Sequence, residues 1–181
     1  MLTKSSQYAT AWRIWSAYLS NLTDKYLGFD AAAEGTFNGY WGAMTSTTLG
    51  FPTVNLDNNY GEMIAYCFAP VESYSSMGTF LGNGSADGPF VFTGFRPAFI
   101  LLKSSTTARN WHIFDTKRDV DNLAEYGLFP NLSSAESNVW FADINSNGFK
   151  IRTTNDAING SGVTYLYYAV AEHPFKTSRA R

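Results

Sequence analysis

The sequence predicts an all-β protein, an antiparallel β-sandwich with few short helices, and three observations carry that expectation. Strand-sized runs rich in β-branched and aromatic residues recur, at VFTGF, AFILLK, NWHIFD, FKIRTT and VTYLYYAVA. Between them lie GNGSADG, NSNG and INGSG, segments made of the residues that tight turns favour. Composition agrees: 5 Trp, 11 Tyr and 14 Phe stand among 181 residues, and charged side chains make up only 15%. An average soluble domain carries about 25% charged residues, so this chain has unusually large apolar faces to cover.

Each element follows from its pattern. Residues 91–95 and 98–103 read as strands joined through GFRP. Residues 110–115 alternate as a half-buried strand should, with His112 beside Trp111 on a strand face. Residues 149–154 form a further strand after the NSNG turn. Within the strand-like run at residues 163–171, YLYYAVA at 165–171 is apolar throughout and suits a strand covered on both faces. Helical periodicity is weak; residues 16–27 and 119–128 carry the best of it and predict short helical turns at a sheet edge. Cys67, inside AYCFA, reads as a small buried hydrophobe. As the single cysteine it excludes an intramolecular disulfide and a thiolate zinc cage.

The chain also repeats itself. MLTKSSQYATAWRIW aligns with ILLKSSTTARNWHIF, so that Lys4, Ser5 and Ser6 fall on Lys103, Ser104 and Ser105, and Trp12 on Trp111. Tyr26 then falls on Tyr126, Glu34 on Glu136, Trp41 on Trp140, Phe51 on Phe149 and Tyr66 on Tyr168, in unbroken order. This predicts two copies of one unit, residues 1–76 and 77–181, packed as one globular unit. The first copy begins at the position equivalent to Ile100, so it lacks counterparts of residues 77–99 and the leading strands they form. A sheet without its first strand exposes a row of unpaired backbone groups that something must cover.

Charge narrows the function. Thirteen Lys and Arg against fifteen Asp and Glu leave a net charge of −2, with no basic stripe, which argues against nucleic acid as a partner. The apolar runs are strand-sized, well short of the roughly 18 residues that a helical membrane span needs.

The stretch GTFLGNGSADGPFVFTGFRPAFILLK, followed by NWHIFDTKRD, SSAES, SNGFKIR and HPFKTSRAR, resembles a repeat domain of tail-fibre-like and other structural proteins of tailed phages, notably marine ones. The landmarks are Gly94, Phe95, Pro97, Lys103, Trp111, Phe114, Asp115, Arg118, Ala135, Glu136, Gly148, Phe149 and Tyr168. The resemblance covers residues 77–181 and extends more loosely to the first copy, which has no counterpart of the Asp115–Arg118 pair. It implies a concanavalin-like or jelly-roll-like sandwich and a non-enzymatic part of the virion exterior, of the fibre or tail-appendage type. Partners would be other virion proteins, further copies of the chain (a trimer, for a fibre) and host-surface polysaccharide. A capsid decoration protein and a free-standing carbohydrate-binding module are the alternatives.

No cofactor, metal or catalytic set is predicted from the residues. Asp143-Ile-Asn-Ser-Asn-Gly148 spells the front half of an EF-hand loop, but its twelfth position is Thr154 where a bidentate Glu is required, so a hairpin turn with Asn and Gly at positive φ is expected. Asn83–Gly88 is glycine-rich without the Gly-Lys-Ser/Thr ending of a phosphate loop. Glu34 and Glu136 are equivalent positions of two copies, not two acids facing one cleft. His112 and His173 lack a partner nucleophile or ligand cluster in the sequence. The remaining candidates are contact residues for a glycan or protein partner: Tyr40 and Trp41, flanked by glycines and expected on a loop, and Asp115 and Arg118, a pair three residues apart suited to locking a turn by a charge-assisted hydrogen bond. Trp12 and Trp111, in alternating runs, are assigned to the core.

Overall fold

The structure, a computed structural model, describes residues 1–22, 24–29, 34–36, 41–42, 45, 47–48, 50, 62–119 and 121–175, with backbone only at 34 and 139–141. Its strands are β1 Leu2–Ser5, β2 Arg13–Ile14, β3 Lys25–Gly28, β4 Glu34–Thr36, β5 Met63–Tyr66, β6 Ser75–Leu81, β7 Phe90–Phe92, β8 Pro97–Ser104, β9 His112–Asp115, β10 Ala124–Gly127, β11 Ser137–Asn145, β12 Gly148–Ile151 and β13 Thr164–Ala171. One helical turn, α1 Asp156–Asn159, precedes β13. All strand pairs among the described residues are antiparallel. The chain divides into two compact units, Met1–Phe68 and Ala69–Arg181. The boundary expected at residue 77 falls inside β6, because Ser75 and Ser76 already pair with Val170 and Ala169 of β13.

The second unit is a sandwich. One sheet runs β6-β13-β8-β9 and the other β10-β11-β12-β7. Alternation sends Ile100, Leu102, Phe114, Tyr165 and Ala169 from the first sheet, and Val91, Ala142, Ile144, Phe149 and Ile151 from the second, into one shared core. β13 lies centrally, as its apolar run predicts; Tyr165 and Ala169 are fully buried, whereas Tyr168 and Val170 on the other face are half-buried. An Ile113–Leu128 bridge joins β9 to the end of β10, so the two sheets meet along that side.

Among the described residues the first unit forms one sheet ordered β4-β3-β2-β1-β5. Around β1 its registers coincide with those around β8 under the sequence offsets. Leu2 faces Tyr66 and Lys4 faces Ile64, as Leu101 faces Tyr168 and Lys103 faces Leu166. Leu2 faces Ile14 as Leu101 faces Ile113. Past the strand, Ser6 donates its N–H to Glu62 O at 2.9 Å, and Ser105 donates to Thr164 O at 2.9 Å. Both serine hydroxyls reinforce the same carbonyls, at 3.0 and 3.2 Å. The order β5-β1-β2-β3-β4 therefore parallels β13-β8-β9-β10-β11. Among the described residues, nothing in the first unit corresponds to β6 or β7.

Several expectations need correction. Of residues 16–27 and 119–128, the described ones end in β3 and β10, where cross-strand pairing outweighs weak helical periodicity; ahead of β3 only isolated turns remain, with Leu19 donating to Ser16 O at 3.2 Å and Lys25 to Asn21 O at 3.1 Å. Cys67 is exposed, because it lies just past β5, which among the described residues ends its sheet. Trp111 is buried, but Trp12 is half-buried, with Lys4 Nζ 5.7 Å from its ring centroid and the Tyr66 ring 5.7 Å away. The Asp143–Gly148 run is the β11–β12 hairpin, with Asn145 opposite Gly148. None of its residues adopts a positive φ. Glycine is needed at 148 for another reason: a Cβ there would collide with the Val91 carbonyl of β7.

Candidate functional site

The polar pair predicted from sequence closes the turn after β9. Asp115 Oδ1 accepts the N–H groups of Lys117 at 3.0 Å and Arg118 at 2.9 Å, which organises residues 115–118. Arg118 Nε donates to Asp115 Oδ2 at 2.6 Å, Nη2 donates to Ile113 O at 3.2 Å, and Nη1 reaches Glu136 Oε2 at 3.4 Å. Burial by itself would raise the Asp115 carboxyl, but the hydrogen bonds and charge of Arg118 outweigh it and hold the group below its ordinary value. With 24% and 23% of their side chains exposed, Asp115 and Arg118 are directed chiefly at each other. We expect Arg118→Ala to destabilise the second unit by about 2 kcal/mol, the scale of part-buried charge-assisted hydrogen bonds, read as a lower Tm by calorimetry.

Trp41 departs from expectation. It is 2% exposed, and its indole Nε1 donates to Lys25 O at 2.9 Å. An indole so buried offers no face for a sugar to stack on, since stacking needs an open ring. Tyr40 lies outside the described residues. Trp41→Phe keeps the apolar bulk but leaves the Lys25 carbonyl without that donor, so a loss of about 1–2 kcal/mol is expected in thermal denaturation.

Other polar groups were not singled out by sequence. Asn159, fully buried at the end of α1, donates from Nδ2 to Ser85 O at 2.8 Å, Thr153 O at 2.7 Å and Asn83 Oδ1 at 3.2 Å, and accepts Asn83 N at 3.0 Å. It thereby ties the glycine-rich loop at 83–88 to the body of the sandwich. Arg96, between the two sheets, donates to Glu172 Oε2 at 2.9 Å and to Ile144 O at 2.8 Å. On the outer face of β11 and β12, Asp143 binds Arg152, and Lys150 reaches Asp87 at 2.8 Å. Their only signals in the sequence were an isolated Asn in a turn and charges scattered singly, which spacing rules cannot pair.

Two buried cationic or titratable groups lie in the sandwich. Lys103 is fully buried, with Nζ donating to Ser104 O at 3.0 Å and Arg109 O at 2.8 Å. His112 is 3% exposed; its ring lies parallel to Phe114 and edge-on to Phe129, and neither nitrogen has a hydrogen-bond partner. Burial, reinforced by the Lys103 charge, lowers its pKa from 6.5 to about 4. A shallow apolar dimple with essentially no internal volume lies between Pro97, Ala98, Ile100, Phe114 and Ile144, with Asp115 and Thr116 at one side. It is too small for a drug-sized ligand, which occupies at least about 300 Å³.

Among the described residues β5 ends its sheet, whereas β13 has a strand on either side. Ile64 is 43% exposed, Tyr66 52% and Phe68 47%, a row on one face of an edge strand and its extension. Residues 1–174 match the profile of a single family, described as a domain of unknown function (DUF7483). That match spans both compact units. No curated protein and no solved structure matches the chain.

Proposed function

We propose, for a chain that belongs to the DUF7483 domain family, a non-enzymatic structural role on the exterior of a tailed-phage particle, in a fibre or tail appendage that works by attachment. Its two units descend from one repeat. One observation supports this reading above others: among the described residues the sheet of the first unit ends on β5, while β13 of the second unit is flanked by β6 and β8. An open edge with exposed Ile64 and Tyr66 is a liability in a free monomer and an asset in an assembly. The polar clusters point the same way. Asp115, Arg118, Asn159 and Lys103 spend their hydrogen bonds on turns and loops, which builds a rigid body for presenting a surface. Partners on this reading are other virion proteins, further copies of the chain and host-surface glycan.

Immunogold electron microscopy of particles from a phage that encodes the chain tests the proposal. Gold on tail appendages is the expected result. Gold on the head would replace it with capsid decoration, and particles without gold would overturn it.

A further inference from the structure

We propose that Asn147 is a site of covalent self-modification, where the side-chain amide closes on the Gly148 nitrogen, leaves an isoaspartyl link in the backbone and loosens β7. Such a closure favours an Asn-Gly pair, because glycine has no Cβ to shield its nitrogen. Three of these pairs, Asn83–Gly84, Asn147–Gly148 and Asn159–Gly160, lie among the described residues; Asn38–Gly39 lies outside them. The closure also needs a side chain free to swing onto that nitrogen, and here the three pairs differ.

Two pairs are locked. Asn83 donates to Asp87 O at 3.0 Å and accepts Ser85 N at 3.0 Å, while Gly84 N donates to Asn159 O at 2.8 Å. Asn159 is fully buried, its amide donates to Ser85 O and Thr153 O, and Gly160 N donates to the Tyr165 hydroxyl at 2.7 Å. Asn147 is built differently. It is exposed, it forms the β11–β12 turn with Ser146, and its amide has no hydrogen-bond partner among the described residues. Gly148 faces Asn145 as the last pair of that ladder, where a hairpin frays first, so one local opening frees the nitrogen.

The step needs only water. The Gly148 nitrogen attacks Asn147 Cγ and displaces the amide nitrogen, which takes the Gly148 proton and leaves as ammonia. Water then opens the imide ring, at Cγ to give aspartate or at the backbone carbonyl to give isoaspartate. The second outcome matters for the fold, because Asn147 holds β7. Its carbonyl accepts the N–H groups of Thr93 at 3.0 Å and Gly94 at 3.2 Å, just past the three residue pairs that join β7 to β12. In isoaspartate the main chain runs through Cβ and Cγ, and that carbonyl becomes part of a free carboxylate beside it. Both donors then lose their fixed acceptor.

Ageing the full chain at mildly alkaline pH, followed by peptide mapping with fragmentation that separates aspartate from isoaspartate, tests this. In the folded chain Asn147 should convert at least about tenfold faster than Asn83 or Asn159, whereas in denaturant the three should react within about threefold of one another. Asn147→Gln, whose side chain replaces one that bonds nothing, should fold like the native chain and stay unmodified at that position. Hydrogen exchange at Thr93 and Gly94 should quicken in the aged native protein and stay unchanged in aged Asn147→Gln. Equal conversion of the three pairs in the folded chain, or a preference for Asn147 that persists in denaturant, would overturn the proposal. So would aspartate without isoaspartate at 147, or Thr93 and Gly94 as protected after ageing as before.

Discussion

Replacing Lys103 with alanine should destabilise the second unit by about 4 kcal/mol, a fall in Tm on the order of 15 °C for a domain of this size. Lys103 is fully buried on β8, and its stem fills space in a core packed at near-crystalline density. Truncation leaves a cavity and removes the donor that Ser104 O and Arg109 O both use. Burying a charge is itself costly, however, so an apolar residue that refills the space should recover much of the loss. Lys103→Met is expected to fall within about 2 kcal/mol of the native protein, the residual reflecting two carbonyls without their donor. Calorimetry of the three proteins checks the order native, Met, Ala. An alanine variant as stable as the methionine one would mean that the side chain fills no space that matters.

Acid should weaken the same unit through His112. Its folded pKa is about 4 against an ordinary 6.5. Above pH 6.5 the ring is neutral whether the chain is folded or not, and it contributes no pH dependence. As pH falls from 6.5 towards 4 the unfolded chain takes up a proton that the folded chain refuses, so stability is lost across that window. Below about 4 both states are protonated and the slope disappears. A displacement of this size corresponds to about 3 kcal/mol. Carboxylates titrate at the lower end of the window, so the measurement is a difference. Between pH 7 and pH 4 the native protein should lose about 3 kcal/mol more than His112→Leu in denaturant titrations. The cause has its own readout: in Lys103→Met the His112 resonance should titrate at higher pH, because the neighbouring cation helps hold it down. Parallel stability curves for native protein and His112→Leu would remove His112 from the acid response.

The fold was legible in the sequence to the extent that it was written in local patterns. Strands β7, β8, β9, β12 and β13 coincide with the five apolar or alternating runs, because side-chain alternation and turn residues are short-range properties. Lys4-Ser5-Ser6 and Lys103-Ser104-Ser105 suggested two related halves, and the registers of β1 with β5 and of β8 with β13 follow the same offset. The candidate site was only partly legible. Asp115 and Arg118 meet because three residues separate them at a turn, whereas Asn159 and Asn83, 76 positions apart, are joined by the sandwich alone. Trp41 shows the limit from the other side: glycine neighbours suggested a loop, yet the indole is buried and hydrogen-bonded to β3.

By itself, the sequence determined the all-β character and the turn positions. These depend on which side chains alternate and which backbone conformations a residue tolerates, and both are properties of a few neighbouring residues. Tertiary structure alone decided what each strand has beside it. The equivalent runs around Tyr66 and Tyr168 resemble each other, yet one lies at a sheet edge and the other between two strands. Burial, and with it the neutral His112, the enclosed Lys103 and the open β5, is set by neighbours brought together from distant parts of the chain. Periodicity records which face of a strand is apolar; it carries no information about whether another strand arrives to cover it.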